Sequence, residues 1–147
     1  MVMKSLNQMT GSFYGYNTHM RIAIWWIRRD IRLEDNLALQ VAAASADRVV
    51  PFVTLDEDIH RSDCLRRFSA FLCAVDNLRT RMNENHCDLV LRQGKAEEVL
   101  PRLVRETGAS EVIAEEDFSR YSRARDDRLK EVIPLKLTAG LTIQHPS

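Results

Sequence analysis

The chain has 147 residues, enough for one domain with a core of its own. Its composition, 45% hydrophobic and 29% charged, excludes a wholly disordered, collagen-like or low-complexity chain. The 21 lysines and arginines balance the 21 aspartates and glutamates, which argues against a domain built chiefly to neutralise nucleic-acid phosphates. No apolar run approaches the ~20 residues that span a bilayer.

Residues 1–20 carry one charge, Lys4, and no continuous apolar stretch. They read as a flexible leader rather than a secretory signal, with Met20 as an alternative start. From Arg21 onward short apolar runs alternate with helical patterns. Ile22–Ile27 is uniformly apolar and predicts a strand buried on both faces. Asn36–Ser45 predicts a helix capped by Asp35 or Asn36. Arg48–Leu55 predicts a second strand, weakened by Pro51, which lacks a ladder donor. Ser62 opens a long helix to about Asn85, with Leu65, Phe68, Leu72, Val75, Leu78 and Met82 as one apolar stripe. Asp88–Arg92 predicts a third strand ended by Gly94. A helix follows over Lys95–Thr107, kinked or restarted at Pro101 and closed by Gly108. Ser110–Ala114 predicts a fourth strand, Ser119 caps a helix to about Ile133, and Leu141–Gln144 predicts a short last strand.

Strands alternating with helices predict a doubly wound α/β fold. It has five parallel strands in the order 3-2-1-4-5 and helices on both faces, as in Rossmann- and flavodoxin-like domains. Such sheets bind ligands beyond the carboxyl ends of their strands, where the strand order reverses. Here that point lies between the first and fourth strands. The first is followed by Arg28, Arg29 and Asp30, the fourth by Glu115, Glu116, Asp117 and Phe118, then Tyr121. Two readings stand side by side. These charges close the top of the sheet as ion pairs and caps, or they form the polar rim of a ligand site with Trp26, Phe118 and Tyr121 as aromatic faces. Trp25 and Trp26 point to opposite faces of one strand, so at most one lines the crevice.

Other chemistries lack their residues. There is no G-x-G-x-x-G after the first strand, no P-loop and no G-x-S-x-G elbow. His19, His60, His86 and His145 have no partners at metal-ligand spacing. Cys64, Cys73 and Cys87 form no C-x-x-C pair, which fits a reducing, cytoplasmic setting rather than a disulfide framework or a zinc site. Arg120, Arg123, Arg125, Arg128 and Lys130 alternate with Asp126, Asp127 and Glu131 and predict a solvated helix face.

The segment Trp26-Ile27-Arg28-Arg29-Asp30-Ile31-Arg32-Leu33-Glu34-Asp35-Asn36-Leu37-Ala38-Leu39 resembles the opening signature of the DNA photolyase and cryptochrome family, W-F-R-R-D-L-R-L-x-D-N-x-A-L. Phe68–Leu78, Leu89–Leu100 and Val112–Asp126, ending in the Arg125-Asp126 pair, are similar to later segments of the same family, in the same order. The resemblance implies that 21–147 is the family's amino-terminal α/β domain, which holds a light-harvesting antenna chromophore. It implies that the long helical domain, which carries the catalytic FAD and binds damaged DNA, lies outside this chain. This chain alone would then have no FAD site, bind no nucleic acid directly and perform no repair. The implied site residues are Arg28, Arg29, Asp30, Glu115, Glu116, Asp117 and Tyr121, to which the strand pattern adds Trp26. Folate-binding members carry an asparagine–glutamate pair where this chain has Tyr121-Ser122. That departure points to 8-hydroxy-deazaflavin or FMN rather than methenyltetrahydrofolate. The implied partner is a helical FAD-binding chain or a second copy, because the face that the helical domain would cover invites association. No feature predicts membrane attachment.

Overall fold

The computed structural model describes residues 20–56 and 65–140. Five strands alternate with helices: β1 (Ile22–Trp26), α1 (Leu37–Ser45), β2 (Arg48–Leu55), α2 (Leu65–Glu84), β3 (Val90–Gln93), α3 (Ala96–Thr107), β4 (Glu111–Glu115), α4 (Arg120–Lys130) and β5 (Leu135–Thr138). The strands form one parallel sheet in the order β3-β2-β1-β4-β5.

Side chains of β1 alternate between two cores. Ala23 and Trp25 enter one, with Ala38 and Ala42 of α1 and Val75, Leu78 and Met82 of α2. Ile24 and Trp26 enter the other, with Leu100 and Leu103 of α3 and Leu129 of α4. Both faces of the sheet are therefore covered, as a parallel sheet requires.

Pro51 sits in β2 without cost to the ladder. Ile27 N donates to Phe52 O at 2.8 Å, so Phe52 faces β1 and its neighbour Pro51 faces the β3 side. There the pairing with β3 starts at Phe52, so Pro51 precedes that ladder. Asn36 is the N-cap of α1, accepting from Leu39 N at 2.9 Å. Gly108 closes α3 at φ +67°, with its N–H on Val104 O, a conformation that glycine adopts freely.

Three expectations are corrected. Pro101 starts no second segment, for α3 runs unbroken through it; one backbone donor is lost early in the helix and the rest of the ladder persists. The last helix ends at Lys130 rather than near Ile133, and the fifth strand is Leu135–Thr138. Pro134 stops the helix and opens that strand, which lies at the sheet edge and is only half-buried, so its pattern is weak in sequence. The segment Leu141–Gln144, the leader and Ser62 lie outside the described residues. Within the described residues no helix is long and apolar enough to cross a membrane.

Candidate functional site

The order β2-β1-β4 reverses direction at β1, so a cleft opens above the carboxyl ends of β1 and β4. Two adjoining cavities occupy it. One, of about 270 Å³, lies above β4 and is walled by Glu115, Glu116, Phe118 and Gly140. The other, of about 240 Å³, lies above β1 and β2, between α2 and α4. It is walled by Trp26, Thr54, Asp56, Phe71, Tyr121 and Arg125. Arg28, Arg29, Asp117 and Ser119 line both.

Arg28 is the tie across the cleft. Its side chain is 7% exposed. Nη1 donates to both carboxylate oxygens of Asp126, at 2.9 and 2.8 Å, and Nη2 donates to the Glu115 carbonyl. The loop after β1 is thereby fixed to the end of β4 and to α4. The Asp126 carboxylate is shared, because Arg125 also donates to its Oδ1 from Nε and Nη2, at 3.1 and 3.0 Å. Both guanidiniums lie over the Trp26 ring, 4.7 and 4.8 Å from its centroid. Two buried cations share one buried anion at this point, and the carboxylates of Asp56, Asp117, Glu115 and Glu116 also line the cleft, so its wall carries both signs.

The remaining side chains fall into two groups. Arg29 is open to water at 79% side-chain exposure and meets Asp117 at 3.7 Å, a surface pair of small energetic weight. Asp117 accepts from Ser119 N and Ser122 Oγ, both at 3.0 Å. Burial raises its pKa, and the hydrogen bonds from Ser119 and Ser122, with the charges of Arg29 and Arg28, outweigh burial and hold the carboxyl below its ordinary value. Tyr121 leads from α4 into the cleft and is half exposed; burial, then the Asp56 charge, raises its pKa. Glu115 and Glu116 line the first cavity, and the Glu116 backbone donates to Thr138 O at 2.8 Å.

Asp30 stands apart. It is 1% exposed and lines neither cavity. Its carboxylate accepts from Trp25 Nε1, Arg28 N and Asn36 Nδ2 at 3.3, 3.1 and 2.9 Å, so it shapes the loop from within. Trp25 belongs to the α1–α2 core, and Trp26 is the tryptophan that reaches the cleft. Trp26 offers no stacking face, however: it is 1% exposed and its ring is taken by two guanidiniums.

Sequence reasoning passed over Thr54, Asp56, Phe71 and Arg125, which all line the second cavity. It also read α4 as solvated, whereas Ser122, Arg125, Asp126 and Leu129 are buried. Their spacing from Leu129 backwards by three, four and seven residues was the available signal. Among the described residues no group of three or more histidine, cysteine or carboxylate side chains could hold a metal ion. The arrangement is a pair of adjoining cavities walled by charged, hydroxyl and aromatic side chains.

Comparison with known proteins places this geometry. The DNA photolyase family profile matches residues 23–145. The chain is 33% identical over 120 residues to the deoxyribodipyrimidine photo-lyase of Streptomyces griseus, covering 78% of this chain and 26% of that protein. It is 31% identical over 140 residues to the chloroplastic/mitochondrial cryptochrome DASH of Arabidopsis thaliana, covering 84% and 24%. The fold is that of the Synechocystis cryptochrome (TM-score 0.77, 20% identity, 87% of this chain and 29% of that one). It is also that of a Sulfolobus tokodaii photolyase solved with two FAD molecules and implicating a novel light-harvesting cofactor (TM-score 0.67, 24% identity, 80% and 28%). The chain thus spans about a quarter of the length of the curated relatives it matches. With the profile covering residues 23–145 and the sheet order matching, this chain belongs to the DNA photolyase family and has the fold of that family's amino-terminal α/β domain.

Proposed function

We propose that the cleft above β1, β2 and β4 binds a light-harvesting chromophore, and that the chain acts as an antenna domain beside a helical, FAD-carrying segment that does the repair or signalling chemistry. The observation that carries this is the pair of adjoining cavities at the strand-order reversal. Each, at about 270 and 240 Å³, falls just short of the ~300 Å³ at which small-molecule sites begin. Because they share four lining residues, one elongated ligand can occupy both, with its ring system in one and its tail in the other. The light-harvesting cofactor implicated in the Sulfolobus tokodaii photolyase lends support to this reading.

FMN and 8-hydroxy-deazaflavin suit the cleft better than methenyltetrahydrofolate. Tyr121 and Ser122 occupy the place of the folate-type asparagine–glutamate pair. Aromatic support comes from Tyr121 on α4 and Phe71 on α2, facing the same cavity from two helices.

The test is a titration of the purified chain with FMN, 8-hydroxy-deazaflavin and methenyltetrahydrofolate, followed by gel filtration and absorption spectroscopy. Retention of FMN or the deazaflavin, with a dissociation constant near or below roughly micromolar, is the expected result. Retention of none of the three overturns the reading. The association reading then takes its place, and the same column reports it as a dimer or larger species.

A further inference from the structure

A light-harvesting chromophore is useful only while its excited state survives until the energy is handed on. An electron-rich ring nearby shortens that time. An indole gives one electron to the excited chromophore and takes it back, so the light energy is lost as heat with no net chemistry. Trp26 is an indole in the wall of the 240 Å³ cavity, so a chromophore bound there has a potential quencher for a neighbour.

The surroundings of Trp26 oppose that electron loss in two ways. The first is charge. The Arg28 and Arg125 guanidiniums lie over its ring, 4.7 and 4.8 Å from the centroid. A cation over a neutral ring is attracted to it. Once the ring has lost an electron, the same contact is a repulsion between like charges, weakly screened in a buried wall. Asp126 holds both guanidiniums, and its single negative charge is shared between them. The second is the indole N–H. An oxidised indole is strongly acidic and is stabilised by passing its proton to an acceptor. Trp26 Nε1 is buried and has no acceptor among the described residues, so that route is closed.

Trp25 has the opposite environment. Its Nε1 donates to Asp30 Oδ2 at 3.3 Å, a carboxylate that stabilises positive charge on the indole and can take its proton. It faces the α1–α2 core and lines neither of the two cavities. Adjacent residues of β1 thus place the easily oxidised indole away from the cleft and the protected one beside it.

We infer that Arg28 and Arg125 keep Trp26 from quenching the excited chromophore, so that the cleft preserves the light energy it receives. The inference rests on the chromophore reading above and adds a task for two arginines that requires no contact between Trp26 and the ligand. Arg125 also lies over Tyr121, the half-exposed ring of the same cavity, at 5.7 Å.

The measurement is the fluorescence lifetime of FMN bound to the purified chain, or of 8-hydroxy-deazaflavin or methenyltetrahydrofolate if that is the one retained. In the wild type the bound lifetime is expected to stay within about fivefold of the free value, and Trp26→Phe to leave it unchanged. Arg125→Gln removes one cation and leaves Arg28 paired with Asp126; its lifetime is expected to fall roughly fivefold or more below the wild type. Adding Trp26→Phe to Arg125→Gln is expected to restore the wild-type lifetime, which a merely structural role for Arg125 would not do. A thermal melt shows which variants fold, and the wild type with Trp26→Phe decides the matter if Arg125→Gln does not. Four results overturn the inference and leave the chromophore reading standing. They are a wild-type lifetime below about a fifth of the free value, a severalfold longer lifetime in Trp26→Phe, an unchanged lifetime in Arg125→Gln, or a short one there that Trp26→Phe fails to restore. No binding of FMN, 8-hydroxy-deazaflavin or methenyltetrahydrofolate overturns the chromophore reading, and the inference with it.

Discussion

Arg28 and Asp126, 98 residues apart in sequence, meet through two hydrogen bonds of 2.9 and 2.8 Å, with side chains 7% and 2% exposed. Arg125 shares the same carboxylate. Removing the anion leaves two buried cations beside each other. Asp126→Ala is therefore expected to cost about 3–5 kcal/mol, as breaking a buried pair does, far more than a surface ion pair. Urea unfolding of the two proteins checks it; a loss under about 1 kcal/mol, the range of exposed pairs, would show that the network is solvated.

Arg29 and Glu116 behave in the opposite way. Arg29 is mostly in water and its contact with Asp117 is loose, while both residues line the cleft. The double substitution Arg29→Ala, Glu116→Ala is expected to change stability by no more than about 1 kcal/mol and to weaken FMN binding severalfold. Unchanged affinity with lost stability would make them structural residues of the loop.

Asp117 gives the cleft a pH dependence. Its carboxyl titrates below its ordinary value in the folded protein. The stability it contributes is thus fully present above the unfolded value of about 3.9 and is lost as pH falls through the folded pKa. The stability gap between the wild type and Asp117→Asn is expected to be constant from neutral pH down to about pH 4 and to close below that. Denaturant midpoints measured across that range test the sign; a gap that widens in acid would mean a raised pKa.

Asn36 joins the helix start to the site loop. It caps α1 and donates to Asp30 O, Asp30 Oδ2 and Arg32 O. Asn36→Ala is expected to cost about 2 kcal/mol or more, the upper range for a cap, since the Asp30 carboxylate also loses a donor. Asn36→Ser, which keeps the cap alone, should recover about half. Equal losses for the two would place the whole effect in the amide donations.

What could be read from the residues follows how burial is encoded. Ile22–Trp26 and Val112–Ala114 are apolar on both faces, so their strands and the reversal between them are plain. Leu135–Thr138 is an edge strand with alternating exposure and a lysine at its centre, and it reads as loop. The polar cleft was legible where charge follows a strand, at Arg28, Arg29 and Asp117. It was not legible at Arg125 and Asp126, because charged residues on a helix signal solvent unless their partner is known. Here the partner comes from the far end of the chain. Asp56 and Phe71 were missed because only the tertiary fold brings β2 and α2 to the same cavity as α4.

The position of β1 also sets the order in which the chain can be made safe. It is the first strand of the sheet to be synthesised, yet it lies at the centre, between β2 and β4. Its β2 side is satisfied early. Its other side, Ala23 to Trp26, stays unpaired until the ribosome has delivered Glu111 to Ala114. A nascent or cleaved chain that stops short of β4 therefore presents an apolar strand with open backbone groups, the type of edge that recruits other chains. Truncation ahead of β4 should yield aggregates rather than a smaller folded protein.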